Sequence, residues 1–263
     1  MGTKFHYWLW NTIISKEDCQ KIINRGLEQI ESLKKEGLSS TAVTNGDNHK
    51  SDTRKISQAD LTVEQITKKN INHNDVYIRD SNVSWLSDQW IYDLLWPHVS
   101  MANKNAGWNY EFDYAEPAQF TIYNKEQFYG WHADGNNDIH SVKRRSLPGI
   151  YDENHANSNM FTPIKGLIGK VRKMSITLML SDPNDYEGGN LKFDFGEHEK
   201  DRYKEVSGNQ VQQGSMIVFP SYKYHCVTPV TKGTRYSLVV WFNGRPMKWV
   251  IVYQQIFLMK MAI

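Results

Sequence analysis

The second half of the chain consists of short segments in which apolar and polar residues alternate, and this pattern constrains the fold more than any other feature. A period of two is typical of β-strands that bury one face. Turn-forming residues separate the segments, among them Gly188–Gly189, Gly214 and Lys232–Gly233. The predicted strands are 110–114, 118–123, 173–180, 190–195, 215–219, 225–230 and 235–242.

The first part of the chain shows helical periodicity instead. After Ser15, a typical N-cap residue, apolar residues recur at helical spacing, and Gly37 is placed where helices commonly end. We also expect a strand over 5–14, a polar loop over 39–70 and a second helix over 83–101. Helices followed by many short strands predict an antiparallel barrel or sandwich with helices packed on one side.

Charge, cysteine content and the chain start narrow the class of protein. The 31 basic and 29 acidic residues give a net charge of +2, which is too even to imply a nucleic-acid surface, although the isoelectric point of about 8.3 leaves one open. Two cysteines, Cys19 and Cys226, cannot form a disulfide framework and suit a reducing compartment. The sequence has neither the apolar core of a signal peptide nor the run of roughly 18 apolar residues that a membrane span needs. We therefore expect a cytoplasmic protein without a membrane partner.

Three residues have the chemistry of metal ligands. His132 and Asp134 stand two positions apart, so in an extended chain they face the same side. His225, from a distant strand, would complete a 2-His-1-carboxylate set, which leaves open positions on a metal as in non-haem Fe(II) oxygenases. The His-x-Asp spacing alone is weak evidence, because surface or core polar pairs also produce it.

Arg235 is a candidate anion-binding residue. It opens the last predicted strand and shares one face of it with Ser237, Val239 and Trp241. An arginine inside a barrel is costly unless it pairs with a bound anion. The alternative is a solvated arginine at a strand end.

Taken together, these motifs resemble a known family. The segments 119–134, 187–191, 214–225 and 229–241 resemble, in order, successive parts of the prolyl 4-hydroxylase-like Fe(II)/2-oxoglutarate dioxygenases, most of all the PKHD-type branch. The similarity runs from about residue 78 to 244. It implies a mainly β fold with flanking helices (α+β), namely a double-stranded β-helix, or cupin-like jelly roll, with the N-terminal helices packed on one sheet.

The resemblance also implies a domain organisation. We expect a single dioxygenase domain over 1–263, with an N-terminal helical support region at 1–109, the double-stranded β-helix core at 110–245 and a C-terminal segment at 246–263. The insertion 135–171 is longer than the family's usual connection. Since long connections in compact domains are usually functional or disordered, we expect this one to be a substrate lid.

The activity implied by the resemblance is Fe(II)- and 2-oxoglutarate-dependent hydroxylation of a peptidyl side chain, with proline as the first choice and succinate and CO₂ as products. His132, Asp134 and His225 would hold the iron, and Arg235 would bind the C5 carboxylate of 2-oxoglutarate. O₂ and ascorbate are the further small molecules implied, and a peptide or protein is the implied partner. Nucleic acid is not the expected partner.

Three more residues of the cosubstrate site follow from the resemblance. Tyr123 would hydrogen-bond to 2-oxoglutarate, Thr177 would offer a hydroxyl at the same end, and Trp241 would line the site. Met179 stands where some animal prolyl hydroxylases have a tyrosine, so recognition of the C5 carboxylate of 2-oxoglutarate would depend more on Arg235 alone. The alternatives are the same chemistry on a nucleic acid or small molecule, or a non-catalytic jelly-roll module for binding or structure.

Overall fold

β-Strands are the main secondary structure in a computed structural model, which describes residues 5–45, 56–57, 76–135, 166–167, 169–197, 199–206 and 211–246. The two helices in this part of the chain are α1 (Lys16–Lys35) and α2 (Gln89–Asn105). The strands are β1 (Trp8–Trp10), β2 (Thr41–Asn45), β3 (Ile56–Ser57), β4 (Val76–Leu86), β5 (Tyr114–Ala115), β6 (Ala118–Tyr123), β7 (Phe128–His132), β8 (Val171–Met179), β9 (Tyr186–Gly188), β10 (Leu191–Asp194), β11 (Tyr203–Val206), β12 (Met216–Pro220), β13 (Tyr224–Val227), β14 (Val230–Gly233) and β15 (Arg235–Gly244).

Helix α1 begins and ends where the sequence predicts. The Ser15 hydroxyl accepts a hydrogen bond from the Asp18 backbone N–H at 3.0 Å, which satisfies a donor that the helix leaves free. Gly37, with φ of +73°, follows the last turn. Gly26 lies against Phe120 of β6, since an added Cβ would stand 2.3 Å from that ring. The helix therefore packs closely on the sheet.

Several predicted elements are wrong in extent or type. Residues 83–86 extend β4 instead of starting a helix, because their backbone pairs with β6, and α2 begins only at Gln89. Strand β2, inside the predicted loop 39–70, pairs with β4, and much of that loop lies outside the described residues. The strand predicted over 5–14 is limited to β1, and 110–114 is irregular up to Tyr114.

Thirteen of the described strands form one large, mainly antiparallel sheet with the main order β1-β12-β8-β15-β6-β4-β7-β13-β10-β11, in which the pairing of β3 with β4 is parallel. Strands β9 and β14 pair in a second, two-stranded sheet. The larger apolar cluster joins the helices to the sheet and includes Ile22, Leu95 and Phe120. A smaller cluster, around Phe193 and Phe219, packs beside β13. The predicted fold class, mainly β with flanking helices, is confirmed.

By internal contacts the chain divides into two compact units. The first comprises Met1–Asn136 and Arg172–Gly244, and the second comprises Asn137–Val171 and Arg245–Ile263. All predicted site residues belong to the first unit. Most of the predicted lid 135–171 and of the C-terminal segment 246–263 lies outside the described residues, so the lid and the single-domain organisation stay predictions. Neither helix in the described part of the chain has the length and apolar character needed to cross a membrane.

Candidate metal and cosubstrate site

The strands β7 and β13 bring the two predicted histidine ligands side by side. His132, at the end of β7, is the cross-strand partner of His225 on β13. Asp134 follows β7 by two residues; its carboxylate oxygens lie 3.4 Å from His132 Nε2 and 3.6 Å from His225 Nε2. The three side chains offer one ligand atom each within 4.8 Å of one another. The structure therefore assembles the predicted triad.

Hydrogen bonds direct both imidazoles toward the centre of this triad. His132 Nδ1 lies 2.8 Å from the Gly130 carbonyl oxygen, and His225 Nδ1 lies 2.9 Å from the Lys223 carbonyl oxygen. Because a carbonyl only accepts, each Nδ1 carries the hydrogen and each Nε2 keeps a free lone pair. Burial and the neighbouring His132 lower the pKa of His225 to about 4, which favours the neutral form that binds metals.

The Asp134 carboxylate has an unsatisfied oxygen at the same point. Its side chain is 5% exposed, and Oδ2 has no hydrogen-bond partner among the described residues. Burial disfavours the charge on Asp134, but the positive charge that His225 and His132 carry when protonated outweighs it and holds the pKa of this carboxyl below its usual range. A buried polar atom without a partner requires an explanation. A carboxylate beside two imidazole nitrogens fits a divalent iron ion.

Arg235 lies in the same interior and is 1% exposed, the largest of the fully buried side chains among the described residues. Its Nη1 donates to Ser237 Oγ at 3.2 Å, and its Nη2 lies 3.2 Å from Met179 Sδ. Its Nε has no partner in the described part of the chain, and no carboxylate there forms an ion pair with it. Arg235 is thus buried rather than solvated, and a thioether is only a weak acceptor for it.

The residues that carry this site match a known family. Residues 118–243 match the family model of the 2OG-Fe(II) oxygenase superfamily. This segment belongs to the 2OG-Fe(II) oxygenase superfamily. It contains the triad, Arg235 and the other predicted site residues, so the predicted resemblance is confirmed for this part of the chain.

Two curated relatives agree with the predicted branch. The PKHD-type hydroxylase YbiX of Escherichia coli O157:H7 (strain EC4115 / EHEC) is 33% identical over 127 residues, covering 48% of this chain and 41% of the relative. A PKHD-type hydroxylase of Xylella fastidiosa (strain M23) is 32% identical over 130 residues, covering 49% of this chain and 44% of the relative. The chain spans less than half of the length of these relatives.

Solved structures support the predicted fold over nearly the whole chain. The viral collagen prolyl hydroxylase of Paramecium Bursaria Chlorella virus-1, in its 2-oxoglutarate complex, has a TM-score of 0.51 at 15% identity and covers 91% of this chain and 97% of that one. A prolyl hydroxylase from Trichoplax adhaerens, in complex with a peptide fragment of hypoxia inducible factor, has a TM-score of 0.51 at 13% identity, with coverages of 90% and 83%. The predicted jelly roll of the 2OG-Fe(II) oxygenases is confirmed.

The remaining predicted residues of this 2OG-Fe(II) oxygenase segment lie around Arg235 or along its strand. Tyr123 is the cross-strand partner of Arg235, and the guanidinium carbon lies 5.4 Å from its ring centre. Burial raises the pKa of Tyr123, so the phenol keeps its proton. Thr177 shares a face of β8 with Met179. Trp241 is 6% exposed, and its Nε1 has no partner among the described residues.

A buried ion pair beside the triad was missed by the sequence analysis. Glu116 accepts two hydrogen bonds from Arg172, at 2.7 and 2.6 Å, and one from Asn243 Nδ2 at 3.0 Å. Arg172 also donates to the Asp134 backbone carbonyl at 3.0 Å and lies 4.0 Å over the Trp241 ring. The ion pair therefore fixes the backbone of a candidate ligand of the oxygenase site. Its partners are 56 residues apart, so no local pattern could have revealed it.

Proposed function

We propose that the protein is an Fe(II)- and 2-oxoglutarate-dependent dioxygenase that hydroxylates a peptidyl side chain, with proline as the preferred residue and succinate and CO₂ as products. The observation that carries the proposal is the buried guanidinium of Arg235, which lacks a carboxylate partner among the described residues, in the same interior as the triad. A metal at one end and an unpaired cation at the other are what a dicarboxylate such as 2-oxoglutarate requires.

His132, Asp134 and His225 would hold the iron through one carboxylate oxygen and two imidazole nitrogens. When bound, Fe(II) supplies the activation of O₂ that couples decarboxylation of 2-oxoglutarate to hydroxylation of a C–H bond. The protein's own part is to orient both imidazoles, through the hydrogen bonds to the carbonyls of Gly130 and Lys223. Because Asp134 would be the only negatively charged protein ligand of Fe(II), the loaded site would keep a net positive charge that attracts an anionic cosubstrate.

Strand β8 would form the floor of the cosubstrate site. Ser175, Thr177 and Met179 alternate onto one face over roughly 13 Å of strand. The Ser175 hydroxyl helps to lower the pKa of Asp134 at one end, and Met179 contacts Arg235 at the other. Thr177, between them, would donate to 2-oxoglutarate, as would the hydroxyl of Tyr123.

A peptide substrate is supported by an exposed tryptophan of β4 that lies beside the buried Trp241 of β15. Trp85 is 47% exposed, and its ring centre lies 6.0 Å from that of Trp241. Exposed aromatic surfaces commonly bind proline-containing segments. The Trp241 indole N–H would donate to the bound molecules. The Trichoplax relative in complex with a peptide fragment supports the same substrate class.

The test is to incubate the full chain with Fe(II), 2-oxoglutarate, ascorbate and a panel of proline-containing peptides in air. We expect succinate and a peptide mass gain of one oxygen atom, both dependent on the metal and both increased by ascorbate. Succinate formation without oxidation of any peptide would overturn the peptide assignment. Oxidation of a nucleic acid or a small molecule in place of the peptides would overturn it as well. A protein that binds neither iron nor 2-oxoglutarate would be a non-catalytic jelly-roll module.

A further inference from the structure

Arg79, on β4, is a second buried cation in the interior of the sheet, and it is 7% exposed. Its Nε donates to Ser81 Oγ and its Nη2 to Gln119 Oε1, both at 2.8 Å. Both partners are neutral, and no carboxylate among the residues that the structure describes forms an ion pair with Arg79. The guanidinium carbon lies 4.6 Å from the ring centre of Tyr129, so the aromatic face provides the remaining compensation for the buried charge.

Tyr129 also contacts a candidate metal ligand. Tyr129 and His132 are three residues apart, which would place them on opposite faces of a regular strand. The register between β7 and β13 shifts between the pairs Val227–Tyr129 and His225–His132, and this bulge brings both rings to one side. The two ring centres are 3.6 Å apart with an interplanar angle of 11°. The Tyr129 ring therefore stacks on His132 and also contacts the Arg79 guanidinium.

We propose that Arg79 and Tyr129 are positioning residues for His132, fixing the plane of its imidazole and hence the direction of Nε2. The hydrogen bond from His132 Nδ1 to the Gly130 carbonyl leaves the imidazole free to rotate about the axis of that bond. Stacking against the Tyr129 ring prevents this rotation. Two parallel aromatic faces repel each other at close range. The Arg79 cation against the Tyr129 ring draws electron density away and makes the close stack on His132 favourable. The inference rests on the proposed metal site.

The test measures metal affinity directly, with Co(II) titrated into the metal-free full chain and followed by its absorption. Arg79→Met keeps the length of the side chain and removes its charge, and Tyr129→Leu removes the ring. Loss of groups that orient metal ligands typically weakens metal binding roughly 10–100-fold, and we expect this loss in both variants. Tyr129→Phe keeps the ring and should stay within about threefold of wild type. Lys21→Met removes a similar cation, 4.0 Å over Trp90 on the helices, and should change nothing.

Circular dichroism of each variant separates misfolding from a loss of positioning. A folded Arg79→Met that binds Co(II) as tightly as wild type overturns the proposal, and if that variant does not fold, Tyr129→Leu decides by the same criterion. Equal losses in Tyr129→Phe and Tyr129→Leu would assign the effect to the hydroxyl and also overturn it. If wild type itself fails to bind Co(II), the proposed function fails first, and the inference with it.

Discussion

Arg235→Met should abolish tight binding of 2-oxoglutarate without destabilising the metal-free protein. The guanidinium is 1% exposed, so a carboxylate bound to it is withdrawn from water together with the cation. Removing one partner of such a buried pair costs about 3–5 kcal/mol. Because about 1.4 kcal/mol corresponds to a factor of ten, the affinity should fall by roughly two to three and a half orders of magnitude.

In the absence of 2-oxoglutarate, Arg235→Met should leave the stability of the protein unchanged or increase it. In that state Arg235 has a hydroxyl and a thioether as its hydrogen-bond partners, so its burial is poorly compensated. Methionine fills a similar volume and carries no charge. We therefore expect the unfolding temperature of the variant, without 2-oxoglutarate, to equal or exceed that of wild type.

Two assays check this prediction. Anaerobic calorimetry with Mn(II) in place of Fe(II) gives the dissociation constant, and thermal unfolding gives the stabilisation by ligand. At a 2-oxoglutarate concentration of about 100 times its dissociation constant, wild type should gain about 2.7 kcal/mol, whereas the variant should gain less than about 0.5 kcal/mol.

Arg25→Met is the matched control, because Arg25 pairs with Asp88 at 3.0 Å on the helical side and should not affect ligand binding. Unchanged 2-oxoglutarate affinity in Arg235→Met would refute the assignment. A large loss of stability in the ligand-free variant would show that Arg235 is a structural residue.

Three further predictions concern the metal, a glycine and the thiols. Asp134→Ala should lose iron binding and succinate formation but keep its circular dichroism spectrum, and iron-dependent turnover by this variant would exclude the triad. Gly189→Ala should weaken 2-oxoglutarate binding because the added Cβ would stand 2.8 Å from Cδ of Arg235. Gly37→Ala is the control, since Gly37 has a similar φ of +73° and open space around it, and it should not affect binding. Equal 2-oxoglutarate affinities in the two variants would contradict this prediction. Burial raises the pKa of Cys19 to about 11 and of Cys226 to about 12, so both thiols stay protonated near neutral pH. A thiol reagent should therefore label them only after the protein unfolds. Fast labelling of the native protein would show that the two thiols are not buried.

Local patterns in the sequence predicted local structure well. Helix α1 begins at a capping serine and follows an apolar stripe, as predicted. Strand β6 occupies the predicted residues 118–123 and pairs with a neighbouring strand on each side. The His-x-Asp spacing brings the side chains of His132 and Asp134 to 3.4 Å from each other, as expected for an extended chain, although Asp134 lies beyond the end of β7.

Features that depend on distant contacts could not be predicted in this way. Residues 83–86 fit a helical pattern, but pairing with β6 makes them a strand. Strand β7 was not predicted, and its bulge brings Tyr129 to His132 against the expected alternation. The hydrogen bond between Arg79 and Gln119 joins residues 40 positions apart, so the stack on His132 has no signal in the local sequence.

The central claim is that one metal and one 2-oxoglutarate bind between the triad and Arg235. A crystal structure of the full chain with Fe(II) and 2-oxoglutarate, grown without oxygen and with iron located by its anomalous signal, tests it most directly. We expect one iron bonded to His132, Asp134 and His225 as its complete set of protein ligands, with the far carboxylate of 2-oxoglutarate hydrogen-bonded to Arg235. Iron at another site, a fourth protein ligand, or a carboxylate bound away from Arg235 would contradict it.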